Sequence, residues 1–409
     1  MNLRELADEA ANYFEPLQSV RRDIHRRPEL GLQTPETLER VIASISGLPV
    51  EIWRSSTISS AIVRITGALP GPTVVLRADL DALALEENTG LDFASEVPGR
   101  MHACGHDLHA AIGVGAIHLL ATHRDKLSGE VLFLFQPGEE GERGADAMLE
   151  EGALARASGP IVGAYALHVS TAWQSGLLTT RPGPFMASAS TLDVVVRGSG
   201  GHGSAPHLAR DPNQAIAEII TALQTMVTRR FSAFDPVIIS VGWLRGGEVG
   251  ANNVIPSSAS FGATVRTFSP EALEAVERAS AELVNGMAAA HGVEADVRFR
   301  TITIPLINDA EHVALAERVA VEMFGEERFE LASVPIGGAE DFASVLRDVP
   351  GAFVFVGATP EGTDPHTAPY NHSNLADFDE AVLPDAAAYL AALAFARLSD
   401  VTSEAAGAA

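Results

Sequence analysis

The run Thr73-Val74-Val75-Leu76-Arg77-Ala78-Asp79 is apolar through its centre, as a strand covered on both faces of a sheet must be. It passes straight into Asp79-Leu80-Asp81, two carboxylates just beyond a buried strand, where open α/β sheets place ligands. Two further runs repeat the arrangement. Glu130-Val131-Leu132-Phe133-Leu134-Phe135 ends in Gln136-Pro137-Gly138-Glu139-Glu140-Gly141, and the strand from Ile161 to Leu167 ends at His168. Three buried strands that each deliver acids or an imidazole at their carboxyl ends predict an α/β fold with a site at that end of its sheet.

Between the first two strands lies Met101-His102-Ala103-Cys104-Gly105-His106-Asp107-Leu108-His109, which holds the only cysteine of the chain and three histidines. A thiolate and an imidazole two residues apart can face one metal ion, and both are ligands that zinc and its neighbours prefer. A buried cysteine is often inert, but Gly105-His106 beside it makes Cys104 and His106 candidate ligands. His102 and His109 either support the site or serve the core. Glu139-Glu140 reads as an exposed turn pair or as a division of labour, one carboxylate binding metal and the other taking a proton from water. Asp79 and Asp81 either cap the next segment or orient a ligand from behind. His168 alone would read as a satisfied core histidine.

Outward from this block, residues from about 3 to 27 have helical spacing and stop at Pro28 and Gly31. A helix capped by Thr34, with Pro35 in its first turn, runs to about Ile45, and another spans Ala110 to Arg124. From about Pro182 the texture changes to strand Leu192 to Arg197, helix Asp211 to Arg229, strands Val237 to Val241 and Ser260 to Thr267, helix Pro270 to His291 and strand Val297 to Ile304. That order predicts an α+β sandwich inserted over 182–295 into a discontinuous domain of 1–181 and 296–409. The outer domain then resumes with helix 310–324, a loop in which Glu340-Asp341 cap a helix, strand Ala352 to Val356 and a final helix from Pro384 to about Leu398. The loop Pro365-His366-Thr367-Ala368-Pro369-Tyr370-Asn371-His372 carries two more histidines.

In the insertion, Ser199-Gly200-Gly201-His202-Gly203-Ser204 lacks the lysine of a phosphate loop and does not fit a dinucleotide fingerprint. Its glycines let His202 approach a ligand closely. Asn252-Asn253-Val254-Ile255-Pro256 is a polar turn that could cradle a carboxylate or oxyanion.

A chain of 409 residues exceeds one comfortable core, which again predicts two domains. Acidic side chains outnumber basic ones, for a net charge of 28 − 53 = −25, so nucleic acid and anionic membranes are expected to be repelled. No apolar run looks long enough for a membrane span, and the start of the chain lacks a signal pattern. One cysteine excludes an internal disulfide framework, which makes the cytoplasm the expected compartment. The low-complexity tail Ser403 to Ala409 is expected to fray. Two other classes remain open at this point. A cysteine hydrolase would use Cys104 as nucleophile, and a closed structural zinc site or ligand-binding module would have no need of Glu139.

Taken together, Arg77-Ala78-Asp79-Leu80-Asp81-Ala82-Leu83, His102-Ala103-Cys104-Gly105-His106-Asp107, Gln136-Pro137-Gly138-Glu139-Glu140-Gly141, Leu167-His168-Val169, Gly201-His202-Gly203-Ser204 and Asn253-Val254-Ile255-Pro256 resemble a known family. It is the amidohydrolase branch of the carboxypeptidase–aminoacylase metallopeptidases, with aminoacylases, hippurate hydrolases and auxin-conjugate hydrolases. The resemblance runs from Arg22-Asp23-Ile24-His25 to the last helix. It implies a zinc-peptidase-like catalytic domain with a mixed central sheet and an inserted domain that serves as dimerisation unit or lid. It implies one or two divalent ions (zinc, manganese, cobalt or nickel) held by Cys104, His106, Glu140, His168 and a late histidine, with Glu139 as general base and acid. The family's last histidine precedes an acidic stretch ending in Leu-Pro, and His372, followed by Asp377-Phe378-Asp379-Glu380 and Leu383-Pro384, matches that spacing better than His366. His202 would reach the neighbouring subunit's site in a homodimer, and Asn253 would hold the substrate's carbonyl oxygen or carboxylate. The implied reaction is hydrolysis of the amide bond of N-acyl amino acids or similar small amidated acids, with small peptides as the alternative substrate. Ala84 stands where the family has proline, the surroundings of His372 differ from the commoner form, and no residue matches the bridging Asp of two-metal relatives.

Overall fold

The protein's computed structural model describes residues 2–407, with side chains over 2–403. Eight strands build one sheet in the order Glu51–Arg54, Ala61–Thr66, Ser128–Gln136, Leu69–Asp79, Ile161–Gln174, Gly351–Thr359, Leu178–Thr180 and Phe329–Leu331. The sheet is mixed. Leu69–Asp79 runs parallel to both of its neighbours, and Ala61–Thr66 runs antiparallel to Ser128–Gln136. The inner strands are buried on both faces, as their unbroken apolar runs require.

Register decides where the chemistry lies. Asp79 pairs with Gln136, Arg77 with Ala166, and Phe355 with His168, so Asp79, the turn after Gln136 and His168 share one end of the sheet. The expected end of the third strand at His168 needs correction. The strand continues to Gln174 because Val169 and Ser170 pair with Val356 and Gly357.

The amino-terminal helix is two helices, Leu3–Ala10 and Phe14–His25, joined by a tighter turn at Ala11–Tyr13. Helix His106–Thr122 begins four residues earlier than expected and is buried nearly all round. The last helix, Val382–Gly407, runs well past Leu398, so the tail expected to fray from Ser403 is helical to Gly407, while Ala408 and Ala409 lie outside the described residues. By length and composition its stretch Val382–Ser403 could cross a membrane, contrary to the sequence reading, but 83% of its apolar window is buried inside the protein, as a core helix is.

Two compact units divide the chain. The first takes the chain up to Gly183, Ile307–Ser333 and everything from Ser344 on. The second takes Pro184–Leu306 and Val334–Ala343. Its sheet is antiparallel in the order Ile238–Gly246, Ser258–Arg266, Ala189–Arg197, Glu294–Thr303. Helices Pro212–Arg230 and Pro270–Ala290 bury Ile216, Ile219, Leu223, Val276 and Val284 against the inward residues Leu192, Val194, Val196, Phe261 and Val265. Residue 295, the expected boundary, falls inside Glu294–Thr303, which pairs with Ala189–Arg197 along nearly its whole length. Val334–Ala343 belongs to the second unit, where Ala187 N–H donates to the carbonyls of Ile336 and Gly338.

Candidate metal centre

Gly105 sets the geometry of the cysteine–histidine turn. Its φ is +88°, and a Cβ there would stand 2.4 Å from Val169 Cγ2, so only glycine lets the turn lie against the strand carrying His168. Cys104 is thereby buried, with Sγ 3.3 Å from His168 Nε2 and 3.2 Å from His372 Nε2. His372 Nε2 also lies 3.1 Å from Glu140 Oε1.

The ring protons follow from the partners. His106 Nδ1 lies 2.8 Å from the Asp81 carbonyl oxygen, and His168 Nδ1 lies 2.7 Å from the Val169 carbonyl oxygen. A carbonyl only accepts, so each proton is on Nδ1 and each Nε2 keeps its lone pair, the arrangement of metal-binding histidines. His106 Nε2 is buried with no hydrogen-bond partner. Leaving such a group unsatisfied costs about 1–3 kcal/mol, which a cation facing that lone pair would relieve. The donor set is thiolate, imidazole and carboxylate. Cys104, His106 and His168 form one cluster, Cys104, Glu140 and His372 a second, and His106, Glu139 and Glu140 a third, with ligand atoms in each within 4.8 Å of one another. These residues fit a divalent transition metal.

Electrostatics favour a cation as well. Burial works against a charged His106, yet the carboxylates of Asp79, Asp81 and Glu140 raise it to about 10, so positive charge is favoured at Nε2, supplied either by a second proton or by a metal ion that takes the same lone pair. Burial pushes the Cys104 thiol well up, and Glu140, Glu139 and Asp79 push it further. A thiolate at Cys104 therefore requires a cation beside Sγ to offset these carboxylates.

Asp81 holds the acidic turn. Its two carboxylate oxygens accept the backbone N–H groups of Glu139 at 3.0 Å and Glu140 at 3.1 Å, and Gly138, at φ +74°, lets the chain bend there. Asp81→Asn should therefore weaken metal binding about 10–100-fold while the fold persists. Competition titration against a chromophoric chelator measures the loss; an unchanged affinity would remove Asp81 from this role.

Asp79 accepts from His109 Nδ1 at 2.6 Å and pairs with the Arg77 guanidinium. His109 Nε2 in turn accepts from the Val169 N–H at 2.9 Å. Both nitrogens of His109 are thus engaged, so although it stands with Asp79 and His106 in one cluster, it fastens helix to strand. His102 is buried, and desolvation lowers it to about 3, which keeps it neutral.

The loop carrying His372 is laced to the same place. His372 N–H donates to the Ala103 carbonyl at 2.8 Å, and Asn371 Nδ2 donates to the carbonyls of Cys104 and Val169. His372 adopts φ +71°, an uncommon conformation for a residue with a Cβ, held here by these bonds. His366 lies in an exposed turn, outside the clusters formed by the described residues.

One network escaped the sequence reading. Asp107, next to His106, is buried between Arg21 Nε and His25 Nδ1, each 2.7 Å away, and Arg21 also reaches Glu380 at 3.1 Å. Burial disfavours the Asp107 charge, but Arg21 and His25 hold its carboxyl far below the usual range. His25 and Asp107 stand 82 residues apart, and no local pattern joins them.

His202 and Asn253 lie in the second unit, side by side. His202 pairs with Val254, and Gly203 N–H donates to the Asn253 carbonyl at 2.8 Å. Ser204 N–H donates to His202 Nδ1 at 3.0 Å, which puts the proton of the neutral ring on Nε2 and makes that nitrogen a donor. Glu340 accepts from the Phe342 N–H in the same unit.

Comparison with known proteins follows the same lines. The model of peptidase family M20/M25/M40 matches residues 75–396. The chain is 34% identical to N-acetylcysteine deacetylase of Bacillus subtilis (strain 168) over 390 residues, covering 95% of this chain and 98% of that one. It is 33% identical to IAA-amino acid hydrolase ILR1-like 5 of Arabidopsis thaliana over 397 residues, covering 96% and 89%. Among solved structures it superposes on a Bacillus subtilis protein described as a dinuclear metal binding peptidase of the M20 family, with a TM-score of 0.80 and 31% identity, covering 95% and 99%.

Proposed function

This chain belongs to peptidase family M20/M25/M40, and from that premise we propose that it hydrolyses the amide bond of N-acyl amino acids or related small amidated carboxylic acids in a metal-dependent reaction. The observation that carries the reading is the convergence of Cys104, His106, His168, His372 and Glu140, with Glu139 beside them. Relatives named for hydrolysing IAA-amino acids and deacetylating N-acetylcysteine support the substrate class.

Cys104, His106, Glu140, His168 and His372 would hold one or two divalent ions, Cys104, His106 and Glu140 each recurring in more than one cluster. Such an ion supplies Lewis acidity, which makes water a far stronger acid, with a pKa brought from about 15.7 toward about 7, and polarises an amide carbonyl. The remaining work falls to the chain. Glu139 takes the proton of the attacking water and delivers it to the departing amine. Asp81 keeps Glu139 in place through its backbone N–H. His202, supplied by the other subunit of the dimer proposed below, would donate from Nε2–H to the amide oxygen as charge builds there, and Asn253 would hold the substrate's carbonyl oxygen or its carboxylate.

Chelation should abolish activity with the circular dichroism spectrum unchanged, and manganese, cobalt, nickel or zinc should restore it. Activity that resists chelators but dies with iodoacetamide would sink the proposal and point to a cysteine nucleophile. A panel of N-acetyl, N-benzoyl and indole-acetyl amino acids identifies the acyl group and the preferred metal. The peptidase description of the structural relative favours a second reading, small peptides as substrates. Faster turnover of free dipeptides than of any N-acyl amino acid would select it.

We further propose a homodimer built through the second unit. Its edge strand Ile238–Gly246 leaves Ile238, Trp243 and Leu244 at 44%, 50% and 57% exposure, the kind of open edge that a second copy can cover. His202 then serves the partner's site. Mixing His202→Ala with Glu139→Gln subunits should recover part of the activity that each variant lacks alone, and a mixture as inactive as its parents counts against sharing. A cytoplasmic location fits the single buried thiol and is checked by cell fractionation.

A further inference from the structure

Helix Phe14–His25 contributes none of the proposed ligands, yet its last two turns grip two of the segments that do. Arg21 is the shared point. Its side chain is fully buried, with Nε 2.7 Å from Asp107 Oδ2 and Nη1 donating to Glu380 Oε1 at 3.1 Å. Asp107 directly follows His106, and Glu380 closes the stretch that begins at His372. One guanidinium thus joins two ligand-bearing segments that are far apart in the chain.

Both carboxylates are fixed from further sides. Asp107 Oδ2 also meets His25 Nδ1 at 2.7 Å, and Glu380 Oε2 accepts from Gln18 Nε2 at 2.8 Å and from Arg22 Nη2 at 2.6 Å. The Phe93 ring lies against both guanidinium groups, 4.4 Å from Arg21 Cζ and 4.5 Å from Arg22 Cζ, which keeps them in place. The stretch from His372 to Glu380 is pinned as well. The Asn374 carbonyl accepts from the Asn88 N–H at 2.8 Å, and the Asp379 N–H donates to the Ala358 carbonyl at 2.9 Å. Phe378 packs on the cysteine turn, where a Cβ on Gly105 would stand 3.5 Å from its ring.

Stability alone does not account for this pair. Withdrawing a guanidinium and a carboxylate from water costs much of what their attraction returns, and apolar side chains of similar volume often serve a core as well or better. Apolar contacts do not fix direction. A planar guanidinium does, because its donors leave at set angles. Here one side of the fork meets the turn of Cys104 and His106, and the other meets the segment of His372. Those segments must agree closely, since Cys104 Sγ lies 3.2 Å from His372 Nε2.

We propose that Arg21 is a positioning residue for the metal centre: by joining Asp107 to Glu380 it holds the turn bearing Cys104 and His106 in place against the segment bearing His372. The proposal rests on the metal-dependent reading above. Its test is competition titration of cobalt against a chromophoric chelator, with circular dichroism of the metal-free chain as the check on folding. Arg21→Met combined with Asp107→Leu replaces the pair by apolar side chains, while Glu380 keeps Arg22 and Gln18 and His25 keeps Glu87. This double variant should stay folded, yet bind cobalt about 10–100-fold more weakly. The visible spectrum of its cobalt form should also shift, because ligand geometry sets that spectrum. Arg21→Lys keeps the charge but lacks the fork, and should show a smaller change of the same kind. A folded double variant with wild-type affinity and a wild-type cobalt spectrum would overturn the proposal and leave Arg21 an ion pair of the core. If the double variant does not fold, Arg21→Lys decides by the same two readings, and no change in either overturns the proposal. A wild-type chain that takes up no divalent ion overturns both this proposal and the reading beneath it.

Discussion

Glu139→Gln should load with metal as the wild type does and lose turnover by about 10²–10⁴-fold, the range for removing a positioned general base. The substitution is nearly isosteric. Its backbone N–H still donates to Asp81, so the turn keeps its shape. Glu140, whose Oε1 faces His372 Nε2, is untouched and still offers its lone pairs to the ion. A carboxamide cannot accept a proton from water at neutral pH, and that is the one capacity removed. Metal content measured with kcat and KM separates the cases. A metal-replete variant with near-normal kcat would take the base role from Glu139, and a metal-free variant would make Glu139 a ligand.

Asp107→Ala should destabilise the protein by about 3–5 kcal/mol, the cost of breaking a buried ion pair by removing one partner. Arg21 and His25 are buried with it, and each loses a partner at 2.7 Å. Denaturant unfolding of the metal-free chain reads the effect. A loss below about 1 kcal/mol, the worth of an exposed pair, would mean that water reaches the site. Asp107→Asn should show the pH dependence by difference. The Asp107 carboxyl is depressed in the folded state, so its contribution is present above its unfolded pKa of about 3.9 and is lost as pH falls through the folded value. His25 carries the opposite sign. Burial alone would lower it, but Asp107 and Glu87 raise it, so its contribution is full below an unfolded pKa of about 6.5 and is lost as pH rises through the folded value. The stability gap between wild type and Asp107→Asn should therefore be widest in mildly acidic solution and narrow on both sides.

Local chemistry was readable and distant chemistry was not. Cys104-Gly105-His106 and Glu139-Glu140 each occupy a few consecutive residues, and apolar strands lead into Asp79 and Glu139, so composition and spacing were enough to mark them. Choosing His372 over His366 required a family pattern. The structure then brings His372 to Cys104 and Glu140 through a left-handed backbone that no local rule anticipates. His109 was ambiguous because its role depends on two partners, Asp79 and Val169, that only the fold assembles. Arg21, His25 and Asp107 were invisible as a unit for the same reason. The second unit was legible as alternating strands and helices, but its boundary slipped because the amphipathic strand Glu294–Thr303 could have served either sheet.

The position of Gly351–Thr359 has a consequence for how the protein is made. It lies between Ile161–Gln174 and Leu178–Thr180 in the central sheet, yet a ribosome reaches it only after the whole of Pro184–Leu306. At about 5–20 residues per second, the nascent chain holds the strand bearing His168 with one edge unpaired for roughly ten seconds or more. Its four-stranded neighbour has every strand in hand by Thr303. Translation thus delivers a unit that can close early inside one that must wait, and the proposed metal ligands are complete only when His372 has left the tunnel.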